Sequence, residues 1–269
     1  MKLKVNAVST ITTDQGIVHY EVFGRGRPVI LLHGWLGSWY LWQETMTALQ
    51  DYRTYALDFW GFGESGKKRE TYNISDFVSL VTQFMDQLGI VRAPIIGHSM
   101  GGTVAMSFAI QHPDRVAKVG VIGSPVQGES LAFLLKLAGK PFIANIVHNS
   151  LWALNLGIRI SRPLVTKEKR WPEMIAADLS QTTAESFLLS IKSLRYTDLS
   201  EDLHTIPVPL MGIFGAKDVI VNPNQHKLIE KYAQHPQVVY LDDAGHFPML
   251  DDSQIFIRVV QDFLSDEAV

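Results

Sequence analysis

The chain has 269 residues, 46% of them hydrophobic and 19% charged, with a net charge of −3. That is the profile of a globular chain of one large domain, and it excludes a low-complexity or disordered one. The balance offers no basic patch for nucleic acid. The absence of cysteine excludes disulfides, thiol catalysis and cysteine-bound metals, and makes a reducing, cytoplasmic compartment the expectation. No apolar run reaches the roughly 18 residues of a membrane span, so no integral membrane segment is expected. Residues 1–13 are polar and strand-like, so no signal peptide is expected either.

In chain order, residues 8–13 and 17–23 flank Asp14-Gln15-Gly16 and read as an antiparallel hairpin at a sheet edge. Val29-Ile30-Leu31-Leu32 has no polar alternation and reads as a buried strand. It ends at His33-Gly34-Trp35. A helix over 40–48 and a strand over 53–57 follow. The strand runs into a loop where Gly61, Gly63 and Gly66 formally spell G-x-G-x-x-G. Lys67-Lys68-Arg69-Glu70 follows instead of an apolar-periodic helix, so a dinucleotide site is rejected and no cofactor is expected.

The next helix opens at Asn73 with Asp76 as its capping partner, and Gly89 stops it. Its apolar face is Ile74, Phe77, Val78, Val81, Phe84, Met85 and Leu88. Strands are expected over 93–96, 116–122, 209–214 and 238–241, and helices over 224–232 and 254–264. Strands alternating with helices give right-handed crossovers and a mostly parallel sheet. Its active site lies at the carboxyl ends of the strands. From about 126 to 204 the pattern shows helices only, over 131–137, 141–156, 173–179 and 184–194. A structureless loop of that length is improbable, so 126–204 is expected to be an inserted helical cap. The core is then 1–125 and 205–269.

Between the strand at 93–96 and the next helix stands Gly97-His98-Ser99-Met100-Gly101. This is the G-x-S-x-G elbow, which holds a serine at the apex of a strand–turn–helix. A serine hydroxyl needs a base, and the base an orienting acid. Downstream, Asp218 follows one strand and His246 the next, giving the order Ser, Asp, His. Asp198, Asp242 and Asp243 are the competing acids. The placement of Asp218 one strand before the histidine favours it. Gly123-Ser124-Pro125 supplies no acid after the 116–122 strand. His33 and His98 are expected to pack the loops, and Asp58 to hold the glycine turn. No metal-ligand spacing such as H-E-x-x-H is present.

On these motifs the chain resembles the α/β-hydrolase superfamily over nearly its whole length outside the cap. The resemblance implies an α/β fold with an eight-stranded, mostly parallel sheet, helices on both faces, and the cap inserted between strands six and seven. It implies catalysis by Ser99, Asp218 and His246, and an oxyanion hole from the backbone amides of Trp35 and Met100. The expected reaction is hydrolysis of a small-molecule ester that is neutral and hydrophobic. The residues expected to line the substrate pocket are Trp35, Phe133, Leu134, Val219, Ile220 and Phe247. The same triad serves lactonases, C–C hydrolases, lyases and perhydrolases, and a slow-turnover ligand receptor stands as the alternative outside enzymes. Dehalogenases and epoxide hydrolases would want an aspartate where Ser99 stands.

Overall fold

The computed structural model describes residues 9–13, 15–132 and 151–266. The expected cap segments over 133–150, with Phe133 and Leu134, lie outside the described residues. Eight strands form one sheet: β1 (Ser9–Thr13), β2 (Gly16–Phe23), β3 (Pro28–Leu32), β4 (Arg53–Leu57), β5 (Ala93–His98), β6 (Val116–Ile122), β7 (Leu210–Gly215) and β8 (Pro236–Leu241). Their order is β1-β2-β4-β3-β5-β6-β7-β8. The β1–β2 and β2–β4 pairs are antiparallel and all others parallel.

The continuous apolar strands follow from burial on both faces. Along β3, Ile30 and Leu32 join one core with α2 (Ile74–Gln87) and α3 (Met100–Gln111). Val29 and Leu31 join the other, with α1 (Gln43–Ala48) and the C-terminal helix Ser253–Ser265. The capping box at Asn73 and Asp76 forms as the sequence predicts, and Gly89 closes the turn after α2 at φ +66°. The helix expected over 40–48 begins only at Gln43, because Trp39–Trp42 forms a separate 3₁₀ turn.

Between β6 and β7 the described residues contain three α-helices, α4 (Leu151–Val165), α5 (Trp171–Ser180) and α6 (Ala184–Arg195), besides two short 3₁₀ turns. Two details differ from the sequence reading. Leu131 pairs with Val221 in an isolated bridge instead of opening a helix. α4 runs on from residue 156 through Gly157 and Pro163. Pro163 sits in the last turn, so it deletes a single i−4 bond, and Thr166 N still donates to Arg162 O at 2.9 Å. Helices α7 (His226–Tyr232), α8 (Pro248–Asp251) and α9 (Ser253–Ser265) complete the chain. No described helix is long and apolar enough to cross a membrane.

Candidate active site

The central strand β5 delivers Ser99. Ser99 has φ 51° and ψ −118°, one of two non-glycine residues with positive φ among those described. Such a conformation costs about 1–3 kcal/mol and persists only where the surroundings enforce it. Here the enforcement is close approach of backbones. A Cβ on Gly97 would lie 2.2 Å from the Gly101 carbonyl, and one on Gly101 would lie 2.4 Å from Leu32 O. The glycines are therefore what lets β5 turn into α3 this sharply. Ser99 N donates to Ile122 O at 2.8 Å, which fixes the apex at the sheet's carboxyl edge.

The loops after β7 and β8 meet beside it. His246 Nδ1 donates to Asp218 Oδ2 at 2.8 Å, with both side chains almost fully buried. The other carboxylate oxygen of Asp218 accepts from the Ile220 and Val221 amides at 2.8 and 2.9 Å. A carboxylate only accepts, so the proton sits on Nδ1 and leaves Nε2 as the basic nitrogen. A Cβ on Gly123, next to the residue that holds Ser99 N, would lie 3.2 Å from His246 Nδ1. That contact puts the Asp218–His246 pair beside the serine turn. The rival acids stand elsewhere. Asp243 is exposed and pairs with Lys217 Nζ at 2.6 Å, Asp242 is exposed, and Asp198 binds Ser200 and Gln127.

Opposite the serine lies the loop after β3. Trp35 N and Met100 N both sit at strand ends, and no protein group accepts from either among the described residues. Met100 opens α3, where first-turn amides have no intrahelical acceptor and favour negative charge. Leu36, at φ 56°, shapes this loop. His33 bolts it in place: Phe59 N donates to His33 Nε2 at 3.0 Å, so Nδ1 carries the proton and donates to Gly34 O at 2.7 Å. Complete burial holds that ring below the usual histidine range, against the pull of Asp58. Asp58 accepts from Trp39 N, Glu64 N and His19 Nδ1, and so does hold the glycine turn. Burial alone would lower the pKa of His19. The hydrogen bond to Asp58 and the charges of Asp58, Glu64 and Glu21 outweigh it and raise the value.

The model of the alpha/beta hydrolase fold family matches residues 27–253. The chain belongs to the α/β hydrolase family. Among curated relatives, this hydrolase is similar to a pimeloyl-[acyl-carrier protein] methyl ester esterase of Vibrio parahaemolyticus, 24% identical over 261 residues, 93% of this chain and 98% of that one. It is also similar to epoxide hydrolase B of Mycobacterium tuberculosis, 36% identical over 143 residues, 52% of this chain and 37% of that one. Among solved structures, an esterase from Exiguobacterium antarcticum superposes with TM-score 0.84 at 17% identity, covering 96% of this chain and all (100%) of that one. Such relatives make the chain a hydrolase and the fold an α/β hydrolase fold.

Of the expected pocket residues, the hydrolase brings Trp35 and Phe247 together around a small cavity beside the serine turn. Val219 is not in that wall. It is 50% exposed, at the apex of the turn that the Ile220 and Val221 amides close onto Asp218. Ile220 is partly buried and packs against both cores. Three groups escaped the sequence reading. Asp251 accepts from Gly245 N, Thr166 Oγ1 and Lys167 N, each at 2.6 Å, and so ties the histidine loop to the end of α4. Trp35 Nε1 donates to Phe187 O at 3.0 Å, tying the loop after β3 to α6. Asp178 of α5 lines the cavity. The only sequence sign of Asp251 was its place five residues after the histidine.

Proposed function

We propose that this hydrolase cleaves a small, neutral, hydrophobic carboxylic ester through an acyl-enzyme on Ser99. The observation that carries the reading is the strained Ser99 apex beside a His246 whose Nδ1 is held by Asp218. His246 Nε2 removes the Ser99 proton as Oγ attacks the ester carbonyl. The oxyanion is received by the Trp35 and Met100 amides. His246 returns the proton to the departing alcohol. Water, deprotonated by the same nitrogen, then attacks the acyl-enzyme and releases the acid and Ser99. A serine at the apex suits an acyl intermediate. The family's aspartate nucleophiles would instead make an alkyl ester.

Residues 126–204 act in this reading as a cap over the strand ends. The ties from Trp35 to Phe187, Ser186 Oγ to Gly61 O and Asp251 to Thr166 support that. A neutral substrate is supported by the cavity, whose wall carries no Lys or Arg among the described residues. Arg159, 63% exposed, pairs with Glu173, and Arg162 donates to Lys167 O. Both cations are used at the surface. The test is a panel of p-nitrophenyl esters of graded acyl length against carboxylate-bearing esters and thioesters. The reading expects the neutral, short to medium members to be preferred. Preference for the charged members, lost on Arg159→Ala or Arg162→Ala, overturns it.

A further inference from the structure

The cavity beside the serine turn is walled by Gly34, Trp35, His98, Phe247 and, from α5, Trp171 and Asp178. Its volume of about 20 Å³ admits one oxygen-sized group, since a water needs roughly 10–15 Å³. The ester reaction as derived above does not use the side chains of His98, Trp171 and Asp178, and the Trp35 indole is already paired with Phe187 O. His98 Nε2 donates to His246 O at 2.9 Å, so Nδ1 is an acceptor, and it is buried without a partner. Burial, with the neighbouring His246, holds the His98 ring neutral, well below the usual histidine range. Trp171 Nε1 is a buried donor without a partner. The Asp178 carboxyl completes the set. Burial pushes it up to about 7, the Ser38 hydroxyl opposing and the Asp58 charge adding to the shift.

Below about pH 7 the Asp178 carboxyl carries its proton, so the set offers two donors, Trp171 and Asp178, and one acceptor, His98. An ammonium could donate to His98 but could not accept from the Trp171 indole or the Asp178 carboxyl. A carboxylate could accept from both donors, but it would face the His98 acceptor and, once Asp178 ionises, a like charge. A hydroxyl donates one hydrogen bond, to His98, and accepts two, from Trp171 and Asp178, and so matches the set. An unpaired buried polar group destabilises the fold, so such a set is kept where something pairs with it.

We propose that this chamber is a hydroxyl-binding subsite and that, among small neutral esters of otherwise apolar skeleton, the preferred ones carry one hydroxyl group that enters it. The inference rests on the ester-hydrolase reading, because it places the substrate between the Trp35 loop and α5. Water offers the same oxygen chemistry, and the experiment separates the two sources.

The measurement compares kcat/KM for methyl butyrate, methyl 2-hydroxybutyrate, methyl 3-hydroxybutyrate, 2-hydroxyethyl butyrate and monomethyl succinate. At least one hydroxylated ester should exceed methyl butyrate by about tenfold, chiefly through KM, as a hydrogen bond made in both ground and transition states requires. Asp178→Leu should bring that ratio to about one, with Asp178→Asn in between. Among the described residues, the charge of Asp58 bears on Asp178, and the neutral His98 shares the cavity wall with it. Between about pH 6 and pH 8 the wild type should therefore turn against monomethyl succinate as Asp178 ionises, and Asp178→Asn should not. No preferred hydroxylated ester, or a preference that survives Asp178→Leu, overturns the proposal and leaves the chamber to water. Should the variants fail to fold, the wild-type ratios and their pH dependence decide. Should no ester turn over and no fluorophosphonate label Ser99, the hydrolase reading itself fails. The subsite is then judged by titrating the protein with butane-1,3-diol and butan-1-ol, where equal affinities would refute it.

Discussion

Asp218→Asn is the substitution whose outcome the geometry determines most closely. The carboxylate accepts three N–H donors, two from backbone amides on Oδ1 and one from His246 on Oδ2. An asparagine has one oxygen and one NH₂ to place there. With the oxygen toward Ile220 N and Val221 N, the NH₂ faces His246 Nδ1, and the ring must move its proton to Nε2. That nitrogen can then no longer take the Ser99 proton. With the amide flipped, the NH₂ confronts two backbone donors. A hydrogen bond to a charged group contributes about 1.5–3 kcal/mol, so losing two outweighs losing one. The first orientation wins, and with it the wrong tautomer. The expected loss in kcat is about 10⁴-fold, or roughly 5.5 kcal/mol in the barrier. Stopped-time assays on p-nitrophenyl butyrate read the loss, and circular dichroism verifies the fold. Asp243→Asn, at an exposed site, should leave kcat within about twofold, as surface changes generally do. Equal losses from the two variants, or less than about a tenfold loss from Asp218→Asn, would refute this assignment of the acid.

Gly97→Ala drives a Cβ to 2.2 Å from the Gly101 backbone, so urea unfolding should show a loss at the upper end of the roughly 1–3 kcal/mol typical of overpacking. Gly157→Ala, inside α4 with nothing within 4 Å of the new Cβ, should instead gain about 0.5–1 kcal/mol. Asp251→Ala removes the acceptor of three hydrogen bonds at the histidine loop, so Tm and kcat should both fall while KM changes little. His19 carries a raised pKa. Its contribution to stability is therefore fully present below the ordinary histidine value and is lost as pH rises through the higher folded value. Urea titrations of wild type and His19→Gln should show a stability difference that is larger at about pH 6 than at about pH 9.

Much of this arrangement is legible in the chain because it is local. Parallel strands buried on both faces must be continuous apolar runs, so β3 and β6 announce themselves. The elbow glycines, the Asn73–Asp76 box and the order of Ser99, Asp218 and His246 are contiguous patterns with a backbone reason. What the sequence hides depends on contacts between distant elements. An aspartate on an amphipathic helix reads as part of a solvated face, yet Asp178 lines the cavity because α5 lies across the Trp35 loop. Asp251 sits in a four-residue helix too short to show a period. Its partners Gly245 and Thr166 come from two separate loops. The helix expected to end at residue 156 runs on through Gly157 and Pro163, where it packs against α5, a contact between elements that the local pattern does not show.

The central claim is that Ser99 carries the acyl group. A fluorophosphonate probe and a slowly hydrolysed p-nitrophenyl ester, each followed by peptide mass spectrometry, test it directly. The account predicts one covalent adduct in both cases, on the peptide containing Ser99. Ser99→Ala should show no adduct and retain below about a thousandth of wild-type turnover, the residue that oxyanion binding alone supports. An adduct on another residue, or Ser99→Ala keeping more than about a tenth of turnover, would contradict it.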